Sequence, residues 1–211
     1  MKAEKKLVLI TTLICLLPIL VGLALYSRLP EQVPTHFDLS GTPNGWSSRP
    51  FAVFGIPCLM AGINLFLHIC LEKDPKRANM SAALKRISLW VIPVMSILTS
   101  GLTLGTAMGW PMHIETAIPM LVGVLFLIAG NYLPKTKQSY TMGIRLPWTL
   151  ASEENWNRTH RLSGFLWVAA GALFILFSLL RLWNGWLLGI LMFALIFVPM
   201  GYSYFLYRKG I

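Results

Sequence analysis

The chain has 211 residues, of which 55% are apolar and only 12% charged, with a mean hydropathy of +0.64. Those values exclude an ordinary soluble domain. The formal net charge of +10 raises the question of nucleic acid. No basic helix stands clear of the apolar runs, which argues against direct nucleic-acid binding.

Six apolar runs of about twenty residues stand near 7–27, 51–71, 87–108, 114–133, 162–180 and 184–206. Each can cross a hydrocarbon core of about 30 Å as a helix. The expected fold is therefore an all-α polytopic membrane protein with six transmembrane helices. The first run lacks an A-x-A site and ends at Arg28 and Pro30, so it reads as a retained span and not a cleaved signal.

Between the first two runs lies a loop over 28–50. Val33, Thr35, Phe37 and Leu39 alternate with Pro34, His36 and Asp38, a strand-like period of two. Gly41-Thr-Pro-Asn-Gly45 is turn chemistry, with Asn44-Gly45 suited to positive φ. A small β-hairpin is predicted, with Phe37 and Trp46 as interface anchors. His36 and Asp38 would share one face. They make half of a metal site without the other ligands, so a His–Asp hydrogen bond or loop brace is the favoured reading.

The second run carries Asn64 and His68 and is followed by a charged linker over 72–86. The third carries Gly101, Gly105 and Gly109 at four-residue spacing, together with Ser96, Thr99, Ser100, Thr103 and Thr106. Small residues let helices approach and hydroxyls bond across them, so this helix is expected to be central in the bundle. A polar track for a substrate is the alternative. Gly185 and Gly189 repeat the small-residue spacing in the last run.

Cys15, Cys58 and Cys70 fall within apolar runs without a C-x-x-C pair and read as packing residues. His36, His68, His113 and His160 are scattered and cannot converge on one zinc. No nucleophile elbow, zincin helix, phosphate loop or dinucleotide fingerprint occurs. Neither an enzyme nor a cofactor is expected.

The fourth run leads into a polar segment over 130–161 that departs from everything around it. Lys135 and Lys137 close the preceding helix, and Pro134 and Pro147 interrupt helix formation. Ser152 reads as an N-cap with Glu153 and Glu154 in the first turn. Trp156, His160, Gly164 and Trp167 then form one helical stripe, with Glu154–Arg158 as an i,i+4 pair. A juxtamembrane elbow and a binding surface are equally compatible with this segment.

Placing both termini in the cytoplasm puts fifteen Lys and Arg residues inside. Only Arg28, Arg49 and Arg181 lie outside, as the positive-inside rule expects. The hairpin loop is then extracellular, the segment 130–161 cytoplasmic, and the basic face meets anionic lipid of the bilayer.

The residues NYLPK from Asn131, GIR from Gly143, PWTL from Pro147, SEE from Ser152, then Trp156 and THR from Thr159 resemble the C-terminal signature of the SdpI family. These are bacterial membrane proteins of immunity to a secreted toxic peptide. The loop pattern LP, VPTHFD and GWSS from Leu29 to Ser48 resembles a small domain of unestablished function often found ahead of that signature. The resemblance implies an N-terminal unit over 1–86 and a four-helix unit over 87–211. It implies a multi-pass protein of the bacterial cell membrane that protects against a toxic peptide and draws a soluble repressor to the membrane. Carried over, the peptide would meet His36, Phe37, Asp38 and Trp46. The repressor would meet Arg145, Trp148, Glu153, Trp156, Arg158 and His160. The alternative function is a small transporter or lipid-handling protein without catalytic activity.

Overall fold

The computed structural model describes residues 2–80 and 82–211. Among the described residues six helices are long and apolar enough to cross a membrane, and the chain is a multi-pass membrane protein. They are α1 (Lys2–Leu25), α2 (Ile56–Lys73), α3 (Ala82–Ala107), α4 (Ile114–Tyr132), α6 (Glu153–Leu179) and α7 (Gly185–Arg208). α5 (Pro147–Ala151) is a short additional helix. A π-helical turn over Phe51–Gly55 leads into α2, so the second span starts at Phe51.

The expected hairpin is present as β1 (Gln32–Phe37) antiparallel to β2 (Pro43–Ser48). Its turn is held by Asp38, whose Oδ1 accepts from the Ser40 N–H at 2.9 Å, the Ser40 hydroxyl at 2.6 Å and the Thr42 N–H at 2.9 Å. The Ser40 hydroxyl and the Thr42 N–H hold this carboxyl below its ordinary range. Positive φ falls on Gly41, at 80°. It does not fall on Asn44-Gly45, which lie within β2, where Gly45 pairs with His36.

The chain forms two compact units, Met1–Glu72 with Ala82–Ile114 and Lys73–Ser81 with Glu115–Ile211. In the first unit α3 packs on α1, where the Ser96 hydroxyl donates to the Cys15 carbonyl at 2.8 Å. α2 joins α1 through Asn64, whose Nδ2 donates to the hydroxyls of Thr11 at 3.2 Å and Thr12 at 3.0 Å. With no water available in a bilayer core, such side-chain pairs are what a polar residue in a span requires. His68 pairs with Glu72 one turn on, at 3.1 Å. Leu29, Val53 and Leu104 close a small core beneath the hairpin.

Apart from Ser96, which reaches α1, two of the expected α3 hydroxyls bond within their own helix. Thr99 and Thr106 donate to the carbonyls of Met95 and Leu102, at 2.7 and 2.8 Å. The three glycines of that spacing differ: a Cβ on Gly101 would meet nothing within 4 Å, one on Gly105 would meet the Met112 side chain at 2.9 Å, and Gly109 is a helix-ending glycine at φ 74°. Gly185 and Gly189 are likewise open.

The close helix approach lies in the second unit instead, between α4 and α6. A Cβ on Gly130 would come within 2.9 Å of the Gly164 carbonyl, and one on Gly123 within 2.8 Å of the Gly171 carbonyl. The two pairs stand seven residues apart on both helices, which is two turns of one seam. Phe126 packs edge-on to Trp167 and Phe174 between them, at 5.2 and 5.4 Å.

Candidate functional site

The segment after α4 folds back on the start of α6 because its backbone is captured by side chains. Trp156, fully buried on the first turns of α6, donates its Nε1–H to the Thr136 carbonyl at 2.8 Å. One turn later His160, also fully buried, stacks on Trp156 with ring centroids 4.0 Å apart and planes at 19°. The Ile144 N–H donates to His160 Nε2 at 2.9 Å, leaving that nitrogen only an acceptor role. Its proton therefore sits on Nδ1, which faces the Trp156 carbonyl at 2.8 Å. Gly143 crosses directly over the pair at φ 97°. A Cβ there would lie 2.5 Å from His160 Nε2 and 2.9 Å from the indole, so only glycine fits.

α5 is nucleated by Thr149, whose hydroxyl accepts from the Leu146 N–H at 2.8 Å. Ser152 caps α6 as expected, accepting from the Asn155 N–H at 3.2 Å. Asn155 ties α6 to α7: its Nδ2 donates to the carbonyls of Ser203 at 3.0 Å and Ile211 at 3.1 Å. Its Oδ1 accepts from the Ser203 hydroxyl at 2.6 Å.

A second staple runs from the linker after α2. Asp74 is buried and accepts from the Lys76 N–H at 2.7 Å, the Ser139 hydroxyl at 2.6 Å and the Thr141 N–H at 2.8 Å. Burial pushes its pKa up, but the bonds from Ser139, Lys76 and Thr141 together outweigh that and hold it below the usual carboxylate value. Lys76 Nζ reaches Gln138 Oε1, and Gln138 Nε2 donates to the Thr149 carbonyl at 2.9 Å. Asn79 Nδ2 donates to the Gln138 carbonyl at 2.9 Å.

Of the residues expected to meet an inner partner, Arg145, Glu153 and Arg158 are exposed. Arg145 donates to the Tyr140 carbonyl at 2.7 Å, and Arg158 pairs with Glu154 as its spacing predicts. Trp156 and His160 are not surface groups; they are the brace on which the segment is built. Trp148 is half-buried and packs on Tyr204 and Tyr207 of α7, at 5.5 and 6.0 Å.

On the hairpin, Trp46 and His36 are exposed and Phe37 half-buried. His36 and Asp38 do not bond each other: His36 Nδ1 faces Asn44 Oδ1, and Asp38 is consumed by its turn. Among the described residues no group of three or more His, Cys, Asp or Glu side chains is placed to hold a metal.

Sequence reasoning missed Asp74, Gln138, Ser139 and Asn155. The signal for Asp74 was present as Asp74-Pro75, a turn-forming pair. For Gln138 and Ser139 no local pattern exists, since their partners lie 62 and 65 residues away.

Residues 135–203 match the SdpI/YfhL protein family, and residues 13–61 match a domain of unknown function (DUF1648). The Immunity protein SdpI of Bacillus subtilis (strain 168) is 25% identical over 204 residues, 95% of each chain. No solved structure matches. The buried brace at Trp156 and His160, Gly143 above it and the cap at Ser152 all lie inside the stretch that is similar to the SdpI/YfhL family.

Proposed function

We propose that this chain is a non-enzymatic membrane immunity protein that protects the cell carrying it against a secreted toxic peptide. The observation that carries this reading is the similarity to an immunity protein along 95% of both chains. In this reading both termini are cytoplasmic, on the strength of the Lys and Arg asymmetry. The hairpin faces outward and offers Trp46 and His36 to the peptide, with Phe37 beside them. Asp38 shapes the turn that presents them.

The segment 130–161 then faces the cytoplasm and recruits a soluble repressor through its exposed charges, Arg145, Glu153 and Arg158. Trp156, His160 and Trp148 hold that surface in shape. Arg is enriched at binding hot spots, and these charges stand on a braced backbone, which lowers the ordering cost of binding.

The test is expression in a host killed by a secreted toxic peptide. Survival no better than with empty vector overturns the immunity reading. Arg145→Ala with Arg158→Ala is expected to keep survival while losing repressor from the membrane fraction. Unchanged repressor distribution removes the recruitment half.

A further inference from the structure

The buried face of α2 changes character along its length. Toward Phe51 it is apolar, with Pro57 and Ala61 buried. Toward the charged end at Lys73 it carries Asn64, His68 and Glu72, each four residues from the next and so on one helical stripe. Exposure falls along that stripe, from the Glu72 side chain at 43% through His68 at 9% to Asn64, which is fully buried. Polar groups this far inside a span are costly and mark function by default.

Two buried atoms on the stripe, Asn64 Oδ1 and His68 Nδ1, have no hydrogen-bond partner among the described residues. Asn64 Nδ2 donates to the hydroxyl oxygens of Thr11 and Thr12. Thr11 spends its own proton on the Val8 carbonyl at 3.0 Å, so it can only accept from the amide. That fixes which way the Asn64 amide points and leaves Oδ1 turned away from Thr11. His68 Nε2 faces the Glu72 carboxylate at 3.1 Å and therefore carries the ring proton, which leaves a lone pair on Nδ1. Both unpartnered atoms are thus acceptors, and two acceptors do not bond each other. His160 is the contrast: the Ile144 N–H meets one of its ring nitrogens and the Trp156 carbonyl faces the other. That ring is complete within the protein.

We propose that Asn64 and His68 bind a water molecule, which donates one proton to Asn64 Oδ1 and the other to His68 Nδ1. Residues four apart on a helix have Cβ atoms about 5–6 Å apart, a gap that one molecule making two bonds of about 2.8 Å closes. Water supplies the two donors that the pair lacks, and polar sites of this kind hold ordered water where apolar ones stay dry. Leaving the two acceptors bare inside a span is the costlier state. The half-exposed Glu72 opens the stripe at the charged end of α2, and Ala61 and Pro57 close it on the other side. The site is a one-ended inlet into the span and not a path across it. It goes beyond the immunity reading and stands without it.

The test uses the full chain in lipid bilayers with its histidines labelled with nitrogen-15. Solid-state NMR then measures how fast magnetisation passes from water protons to each ring, with His160 as the control in the same sample. The His68 ring is expected to receive it about threefold faster than His160 or more, with Nδ1 unprotonated. Asn64→Leu removes one of the two acceptors and is expected to bring the His68 rate down toward that of His160. The wild-type comparison needs no variant. Equal rates at His68 and His160 in the wild type overturn the water site, as does a proton on His68 Nδ1, which reaches Asn64 directly. Proton flux through wild-type vesicles that Asn64→Leu abolishes overturns the one-ended inlet.

Discussion

His160 lies flat against Trp156, and the Ile144 N–H, sixteen residues upstream of His160, ends on its Nε2 at 2.9 Å. Two residues of one helix thus anchor a stretch of chain that has no helical or strand bonds of its own. Removing either should loosen the segment without touching the spans. Trp156→Ala is expected to cost about 3–5 kcal/mol, the range for large-to-small changes in a packed core. Trp156→Phe should cost roughly 1 kcal/mol, the bond to the Thr136 carbonyl. Thermal unfolding in detergent, with proteolysis at 136–146 as a local readout, checks both.

Gly143 is the third member of that brace. Gly143→Ala meets two penalties together: φ 97° and a Cβ 2.5 Å from His160 Nε2. Backbone strain of this kind is worth about 1–3 kcal/mol. A melting temperature equal to that of wild type would contradict the geometry, as would unchanged proteolysis of the segment.

Asp74 gives the fold a pH dependence with a defined sign. Its folded pKa lies below the ordinary carboxylate value, so the stability it contributes is complete above that value. That contribution is lost as pH falls through the lower folded pKa. Melting recorded from pH 7 down to pH 3 should therefore drop for wild type, and Asp74→Asn should flatten part of the drop. Asp74→Ala at pH 7 should cost about 1.5–3 kcal/mol, since Ser139 and Thr141 lose a charged acceptor.

The α4–α6 seam distinguishes glycines that matter from glycines that do not. Gly130→Val and Gly164→Val should each cost roughly 1–3 kcal/mol through overpacking, because backbone atoms of the facing helix stand within 2.9 Å of the added Cβ. Gly101→Ala and Gly189→Ala should leave stability unchanged or slightly higher, having open space around them. Ranked melting temperatures of the four variants settle the assignment of the seam.

The glycines of α3 and of the α4–α6 seam show what a pattern can and cannot convey. The spacing at Gly101, Gly105 and Gly109 is the more conspicuous in the sequence, yet Gly101 faces open space. The pairs that pack are seven apart and sit on different helices, Gly123 and Gly130 against Gly164 and Gly171. Spacing on one helix says that a close approach is allowed. It does not say which partner takes it up.

Hydropathy, charge asymmetry and local turn chemistry are properties of neighbouring residues. From them alone follow the six spans, the hairpin at 32–48, the Ser152 cap and the Glu154–Arg158 pair, all of which the structure contains. The motif residues around Trp148 and Trp156 also marked where the chain departs from a generic membrane protein. Their roles were another matter. Whether Trp156 and His160 face a partner or a neighbour depends on where the stretch 136–146 returns, and that return is made by bonds such as Asp74 to Ser139 across 65 residues. Contacts at such separation leave no periodic trace in a sequence, since each is one donor meeting one acceptor after the chain has closed. Tertiary structure alone decided that the most conspicuous aromatic and histidine of the segment support its surface from within.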